Sequence, residues 1–525
     1  MYRPEEIVEP FWAEYSSAAS GRDPLAIQNS SVVIYTKMVV GITNVTNRIR
    51  YNGFFCWIFD TIFQSVDKKN SLTTQILYSR RAELLLAYVM VKNYPDIKGV
   101  SGSDFALKNM ESTVNLARGA DWEYKQIGEK VYWQNPQGIF GQYYSGVTRV
   151  LNLINHPSSI NELNVYTLTE KGTYLATAFA DRISDEQRNL FWESVLQGSI
   201  LESDLTRLKP FALHIILESS REHIIYKDIL LAADDRKSDP TFNRRETIKL
   251  LLTHLFEQNE GIEDPVGSFL RTNYKRHLNE QTFRNDAATA WYFFEINELL
   301  HVAYEHFHSS FLYFIETYPT LLNDKIDELV DLTMDEFHQE DLFNEGKTLR
   351  EMSENAKDLQ YDVYDLYTEM ERSFRSGELG KCLLYALRTI IQVKVNSSSH
   401  LDQLTSFVSL AENNFNRPGN AIQLFNELVT SHLDSSIQEV LKTILLNAIN
   451  LHTFSSYGKT KIGQALVHNY MIEDLSIWRL RNTEPNRTSP RLRNVLQYLA
   501  DIGWVRNEGK VWTLTDSGIQ ILEQI

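Results

Sequence analysis

Residues 488–525, TSPRLRNVLQYLADIGWVRNEGKVWTLTDSGIQILEQI, constrain the fold more than any other stretch. Ser489 before Pro490 reads as a helix start, a hydroxyl N-cap followed by a residue whose missing N–H is harmless in the first turn. Leu492, Val495, Leu496, Leu499 and Ile502 then recur at helical spacing and form one apolar face. Gly503 supplies the left-handed conformation that ends many helices. Residues 504–506 and 511–514, joined by 507–510, read as a β-hairpin, and Thr515 caps a short closing helix. Helix, hairpin and helix in this order form the back half of a winged helix-turn-helix.

The hairpin signal occurs twice. Residues 165–172, VYTLTEKG, align with 511–518, VWTLTDSG, and Val, Thr, Leu, Thr and Gly are identical at five of the eight positions. Leu175 then falls opposite Ile521, and Val147, Val150, Leu151 and Ile154 supply a preceding apolar helix face. A strand, a Thr cap and a helix also meet by chance, and one pair is no repeat array. The expected fold is mostly α, a multi-helical chain with a C-terminal winged helix-turn-helix and a second winged-helix-like unit at about 140–180.

Length and composition narrow the class. A chain of 525 residues has room for two to four domains. Its 43% hydrophobic content marks it as folded rather than disordered. With 52 basic against 68 acidic residues the net charge is −16, so contact with phosphate must be local. Cys56 and Cys382 stand far apart, which excludes a disulfide framework or a cysteine zinc cluster and fits a reducing compartment. The N-terminal MYRPEEIVEPFW lacks a signal-peptide core, and no apolar run reaches the ~20 residues of a membrane span. A cytoplasmic protein without a membrane partner is expected.

Along the chain, the aromatic run at 54–63 predicts a helix buried on nearly every side. Arg48 and Arg50, just before it, are expected to pair with carboxylates rather than to bind phosphate. Another helix is expected at 72–93. Further helices follow at 184–197, 201–219, 221–234, 245–258, 263–274, 284–316, 322–339, 346–372 and 377–394. VNSSSH at 395–400 is the candidate linker, and helices at 401–414, 418–431, 434–450 and 460–478 complete the pattern. The domains read from this are 1–183, N-terminal and helical with the winged-like segment; 184–394, central; 395–478, C-terminal helical; and 479–525, the winged module.

The sharpest chemical pattern is WYFFEINELLHVAYEHFHSS, where Glu298, His301, Glu305 and His308 share one helical face. Glu-x-x-His serves dinuclear metal sites when two helices face each other. Here the motifs lie in line, roughly 10 Å apart by helical rise, too far for one such centre. A solvated or inter-helix polar stripe is the expected role, and no metal, cofactor or catalytic residue is assigned. His214 with Glu218 and Glu222 with His223 lack both HExxH order and a third ligand. No GxxxxGK[ST], GxGxxG or GxSxG occurs, so the usual nucleotide-binding and serine-hydrolase motifs are absent.

Residues 479–510 carry seven cations against three carboxylates, net +4 by subtraction, within the acidic chain. On the helix expected after Ser489, Arg491, Arg493, Asn494 and Gln497 lie outside the apolar set, and Arg506 and Lys510 sit on the hairpin. Such side chains suit phosphates and major-groove edges. These six are the candidate nucleic-acid contacts.

Five segments carry a family resemblance: DPLAIQ (23–28), GITNVTNRIRYNGFFCWIF (41–59), YTLTEKG (166–172), AWYFFEINELLHVAYEHF (290–307) and TSPRLRNVLQYLADIGW (488–504). Through them the chain resembles a group of largely uncharacterised bacterial proteins from anti-phage defence loci. The resemblance implies action beside a partner, an ATPase of the structural-maintenance or ABC type or a nuclease subunit. It also implies that the helix at 290–307 is a packing element. The expected function is a non-enzymatic recognition and scaffold subunit of a defence complex, binding DNA, a protein partner, or both through winged-helix elements. The alternatives are a DNA-binding transcriptional regulator and a helical metalloenzyme built on Glu298, His301, Glu305 and His308.

Overall fold

The computed structural model describes residues 23–66, 71–157, 164–231, 242–258, 260–278, 280, 286–339, 347–398, 428, 431–459 and 467–525. The helices expected at 401–414 and 418–431 fall almost wholly outside these residues. Among the described residues helix dominates, and the sheets are small, three of two strands and one of three. No helix among the described residues is long and apolar enough to cross a membrane.

The chain divides into two compact units, and neither is continuous. One comprises Met1–Thr36 with Leu270–Pro490, the other Lys37–Phe269 with Arg491–Ile525. The domains read from composition follow chain order, whereas the folded units interleave. In particular, the C-terminal segment is part of the unit formed by 37–269, not an appended module.

The first unit is built on the 28-residue helix Ala287–Phe314, hereafter the spine, buried along nearly its whole length. Its N-cap is Asp286, whose side chain accepts from Thr289 N. The helices Leu322–Gln339, Val363–Ser376, Leu379–Ser397 and Ile437–Lys459 belong to the same unit. The helix at 322–339 matches its expected bounds. The stretch at 346–372 is two helices, Leu349–Leu359 and Val363–Ser376, because Gln360 takes a left-handed φ of 47° and Asp362 caps the second. Leu379–Ser397 runs into the expected linker. Of the helix expected at 460–478, residues 460–466 lie outside the described residues, and the remainder is instead a hairpin, Tyr470–Glu473 paired with Ser476–Arg479. Asp474 and Leu475 both have positive φ, 47° and 68°, the turn that matches strand twist in two-residue hairpins.

In the second unit Tyr51–Ser65 forms the aromatic core helix, where Phe54 and Trp57 meet Phe179 and Phe191 edge-on or tilted. Leu72–Asn93 has the expected bounds, with Ser71 as its N-cap. The stretch expected as helix from 201 is a strand end followed by a 3-10 helix, Glu202–Phe211, which contains Pro210. Arg48 and Arg50 pair internally as expected, Arg48 with Asp501 at 2.5 Å and Arg50 with Glu222 at 2.9 Å, all four buried.

This unit also contains two backbone corners of the same design. In the C-terminal one, helix Leu492–Asp501 leads to Gly503 (φ 83°), then strands Val505–Glu508 and Val511–Leu514, then helix Asp516–Gln524. Thr515 N donates to Trp504 O, and the Thr515 hydroxyl accepts from Gly518 N. In the other, helix Ser145–Val150 leads to Asn152 (φ 54°), strands Ile154–Asn155 and Thr167–Leu168, and helix Glu170–Ala180. Thr169 N donates to Leu153 O, and the Thr169 hydroxyl accepts from Gly172 N. The first helix here is shorter than expected, and Val150 is exposed.

Candidate functional site

The C-terminal helix begins later than Ser489 and Pro490 indicate. Arg491 is its N-cap residue in left-handed geometry, φ 63°, and the first helical residue is Leu492. An αL residue cannot continue a helix, so the Ser-Pro signal is overridden by the turn that follows it. The apolar set falls inside as expected, with Leu492, Val495, Leu496, Leu499 and Ile502 all buried.

The six candidate nucleic-acid contacts separate into two groups. Arg491 Nη1 donates to Ile42 O at 3.0 Å. Asn494 is buried and donates to Thr46 O at 3.4 Å and Asn47 Oδ1 at 3.0 Å. Gln497, half-buried, donates to Asp501 Oδ1 at 3.1 Å. Asp501 also accepts from Ile49 N at 3.2 Å. Burial pushes the Asp501 carboxyl up to about 6, although Arg48 opposes this. The loop at 42–49 therefore covers this side of the helix. Arg493, Arg506 and Lys510 are exposed, and Arg506 lies 3.4 Å from Glu508.

The basic stretch upstream is likewise turned inward. Arg479 donates to Leu312 O at 3.2 Å, and Arg481 to His468 O and Asn469 Oδ1, both at 3.1 Å. Arg487 meets Glu295 Oε2 at 2.5 Å and stacks over Tyr367. Sequence charge counting cannot separate such internal cations from free ones.

The chemically densest region is the polar face of the spine. Glu298, His301, Glu305 and His308 are all buried. His301 stands between two carboxylates, Nε2 2.9 Å from Glu305 Oε1 and Nδ1 3.7 Å from Glu298 Oε1. Burial disfavours its charge, but Glu305 and Glu298 outweigh that and raise it to about 10, so it is an imidazolium at neutral pH. Burial pushes Glu298 up as well, yet His301, Arg487 and Ser31 together hold it below the usual carboxylate range.

Two segments distant in sequence cover this face. From the helix Asn29–Met38, the Ser31 hydroxyl donates to Glu298 Oε1 at 2.5 Å, and Asn297 Nδ2 donates to the Ser31 oxygen at 2.7 Å. From the irregular strap at 483–488, Asn486 N donates to Glu305 Oε2 at 2.8 Å and Thr488 N to Glu298 Oε2 at 2.6 Å. Alternate N–H groups of an extended chain point the same way, so a row of glutamates one helical turn or two apart can receive them. Asn486 and Thr488 carry no sequence signal, because a backbone donor can belong to any residue, and Ser31, which donates through its hydroxyl, stands in no motif.

His308 belongs to a separate cluster. Its ring lies 4.6 Å from that of His452, and Asn469 Nδ2 approaches its Nε2 at 3.2 Å. Burial, then His452, keeps His308 neutral, and burial pushes His452 down to about 3. The four-residue stripe is thus two environments, one ionic and one neutral. Elsewhere, Glu222 is taken by Arg50, and His223 Nε2 lies 3.1 Å from Ile502 O.

Asp23, His301 and Glu305 can each bring one donor atom within 4.8 Å of the others. To ligate a cation there, His301 must release the proton that Glu298 and Glu305 hold on it. Asp23 already accepts from Ile27 N at 3.0 Å. The donor set therefore resembles a closed ion network more than an open coordination site. No family model, curated protein or solved structure matches the chain.

Proposed function

We propose that the chain is a non-catalytic recognition and scaffold subunit of a bacterial anti-phage defence complex, meeting nucleic-acid phosphate at its C-terminal corner. The observation that carries this reading is the exposure of Arg493, Arg506 and Lys510 on a helix–hairpin–helix segment of a chain with net charge −16. Exposed cations without a base-reading helix face suit backbone contact, which positions a protein on a duplex and carries no sequence preference. The corner, in this reading, is a winged helix used through its wing, and Arg491, Asn494 and Gln497 serve its interior. The scaffold role is supported by the spine, whose charged groups are spent on holding two remote segments in place. The ATPase or nuclease partner comes from the family resemblance and is part of the proposal.

Fluorescence anisotropy with a labelled duplex across a salt series tests the nucleic-acid contact. The triple change R493E/R506E/K510E should weaken binding and reduce the salt slope by about 0.9 for each phosphate that is no longer neutralised. Binding by the variant equal to wild type, or no binding by wild type, would overturn it. Affinity capture of the full chain from its host tests the partner, with recovery of neither an ATPase nor a nuclease as the adverse result. The metalloenzyme alternative rests on the Asp23–His301–Glu305 grouping. Stoichiometric metal in purified protein, abolished in His301→Ala, would displace the scaffold reading.

A further inference from the structure

The unit that contains the spine also holds a cavity of about 570 Å³, lined by the turn at Gln360–Asp362 and by parts of four helices. That volume lies within the range of small-molecule sites, about 300–1,000 Å³. It is remote in sequence from the C-terminal corner and plays no part in the function proposed above.

Gln392, Asn396 and Tyr274 line the cavity as a polar chain. Gln392 Nε2 donates to Asn396 Oδ1 at 2.9 Å, and Asn396 Nδ2 donates to the Tyr274 oxygen at 3.0 Å. Gln392 is 3% exposed, and its Oε1 has no hydrogen-bond partner. A buried acceptor left unmet is costly, and such a group in a cavity wall points to a ligand donor. The Tyr274 oxygen accepts from Asn396, which leaves its own proton to donate, and burial raises the phenol so that it keeps that proton. An acceptor and a donor joined through one side chain match an N–H beside a carbonyl or ring nitrogen, the arrangement on the pairing edge of a nucleobase.

The charge around this chain selects an anion. Lys275 and Lys357 line the same cavity. Lys275 is neutralised by Asp362 at 2.5 Å, whereas Lys357 is exposed on the last turn of Leu349–Leu359. Lys394, next to these groups in the fold, is pushed down to about 8, first by burial and then by Arg350 and Lys357. Tyr361 adds an aromatic wall, its ring held by the Arg388 guanidinium 4.7 Å away.

We propose that this cavity binds a nucleoside phosphate, with the base edge on Gln392 and Tyr274 and the phosphate at Lys357. The sequence carries none of the glycine-rich phosphate loops, so the phosphate is met by a side chain rather than by a backbone cradle.

Isothermal titration of the full chain with AMP, ATP, GTP, CTP and UTP tests this, with adenosine and inorganic pyrophosphate as separate arms. At least one nucleotide should bind, with adenosine and pyrophosphate each about tenfold weaker or worse. Lys357→Glu should weaken the nucleotide about tenfold and leave adenosine unchanged, whereas Gln392→Leu should weaken both. Pyrophosphate binding as tightly as the nucleotide would overturn the base contact and with it the proposal. So would the absence of binding by every nucleotide at millimolar concentration. Should Gln392→Leu fail to fold, the exposed Lys357→Glu decides alone, and unchanged nucleotide affinity in that variant is then the overturning result.

Discussion

Two helices in this chain present polar faces, and the fold resolves them in opposite chemical senses. On the spine the carboxylates are acceptors, and the covering segment supplies N–H groups from Asn486 and Thr488. On the segment 491–501 the polar residues are mainly donors, and the loop at 42–49 supplies the carbonyls of Ile42 and Thr46. In each case irregular backbone lies against a helix, and every buried peptide group of such a segment needs a partner. A polar helix face need not be a surface or a site. It can be the complement of a backbone segment with no secondary structure of its own.

The largest effect is expected where the complement is ionic. His301→Leu removes the cation between Glu298 and Glu305 and should cost about 3–5 kcal/mol in chemical denaturation. The His301 value of about 10 lies above its ordinary 6.5. Its stabilisation is therefore complete below about pH 6.5 and is lost as pH rises through about 10, and the variant should lack that alkaline loss. Unaltered alkaline melting in His301→Leu would break the contrast between the two faces.

A smaller effect in a different pH window is expected at the C-terminal helix. Asp501 is raised from 3.8 to about 6, so its contribution is present below about pH 4 and lost as pH rises through about 6. Asp501→Asn should flatten stability across that window and cost about 1–3 kcal/mol at neutral pH, since Arg48 loses its charge partner. Melting curves between pH 4 and 7 check both the sign and the window.

The twin corners come next. A Cβ at Gly518 would overlap the Trp504 carbonyl, and one at Gly172 the Leu153 carbonyl. Alanine raises helix propensity by about 0.5–1 kcal/mol, but the overlap costs about 1–3 kcal/mol, so Gly518→Ala and Gly172→Ala should both lower the melting temperature. A stabilised variant at either position would end the equivalence of the two corners. Smallest of all, Asn494→Leu should cost about 1 kcal/mol without changing the DNA salt slope, while Arg493→Ala should stay within about 0.5 kcal/mol and reduce DNA affinity. The reverse pattern in paired anisotropy and denaturation measurements would exchange the roles assigned to them.

How much of this the sequence reveals depends on how local the signal is. Helices at 72–93 and 322–339 are legible to the residue, because the apolar spacing lies within the element itself, and Ser71 caps the first. The part at 470–478 is misread because a two-residue turn of Asp474 and Leu475 carries no glycine or asparagine to mark it. Glu298, His301 and Glu305 are legible as one face. Their coverage is not, since Thr488 lies 190 residues away and contributes only its N–H.

The interleaving of the two units has a consequence for synthesis. The segment 491–501 that supplies the partners of Arg48 and Ile42 is made only after the whole of 270–490. On the ribosome, the unit begun at Lys37 therefore waits through more than two hundred residues with a buried arginine and an apolar seat unfilled. Such a chain folds through long-range closure, which is slow, and exposes that seat to chaperones or to wrong partners until the closing segment arrives.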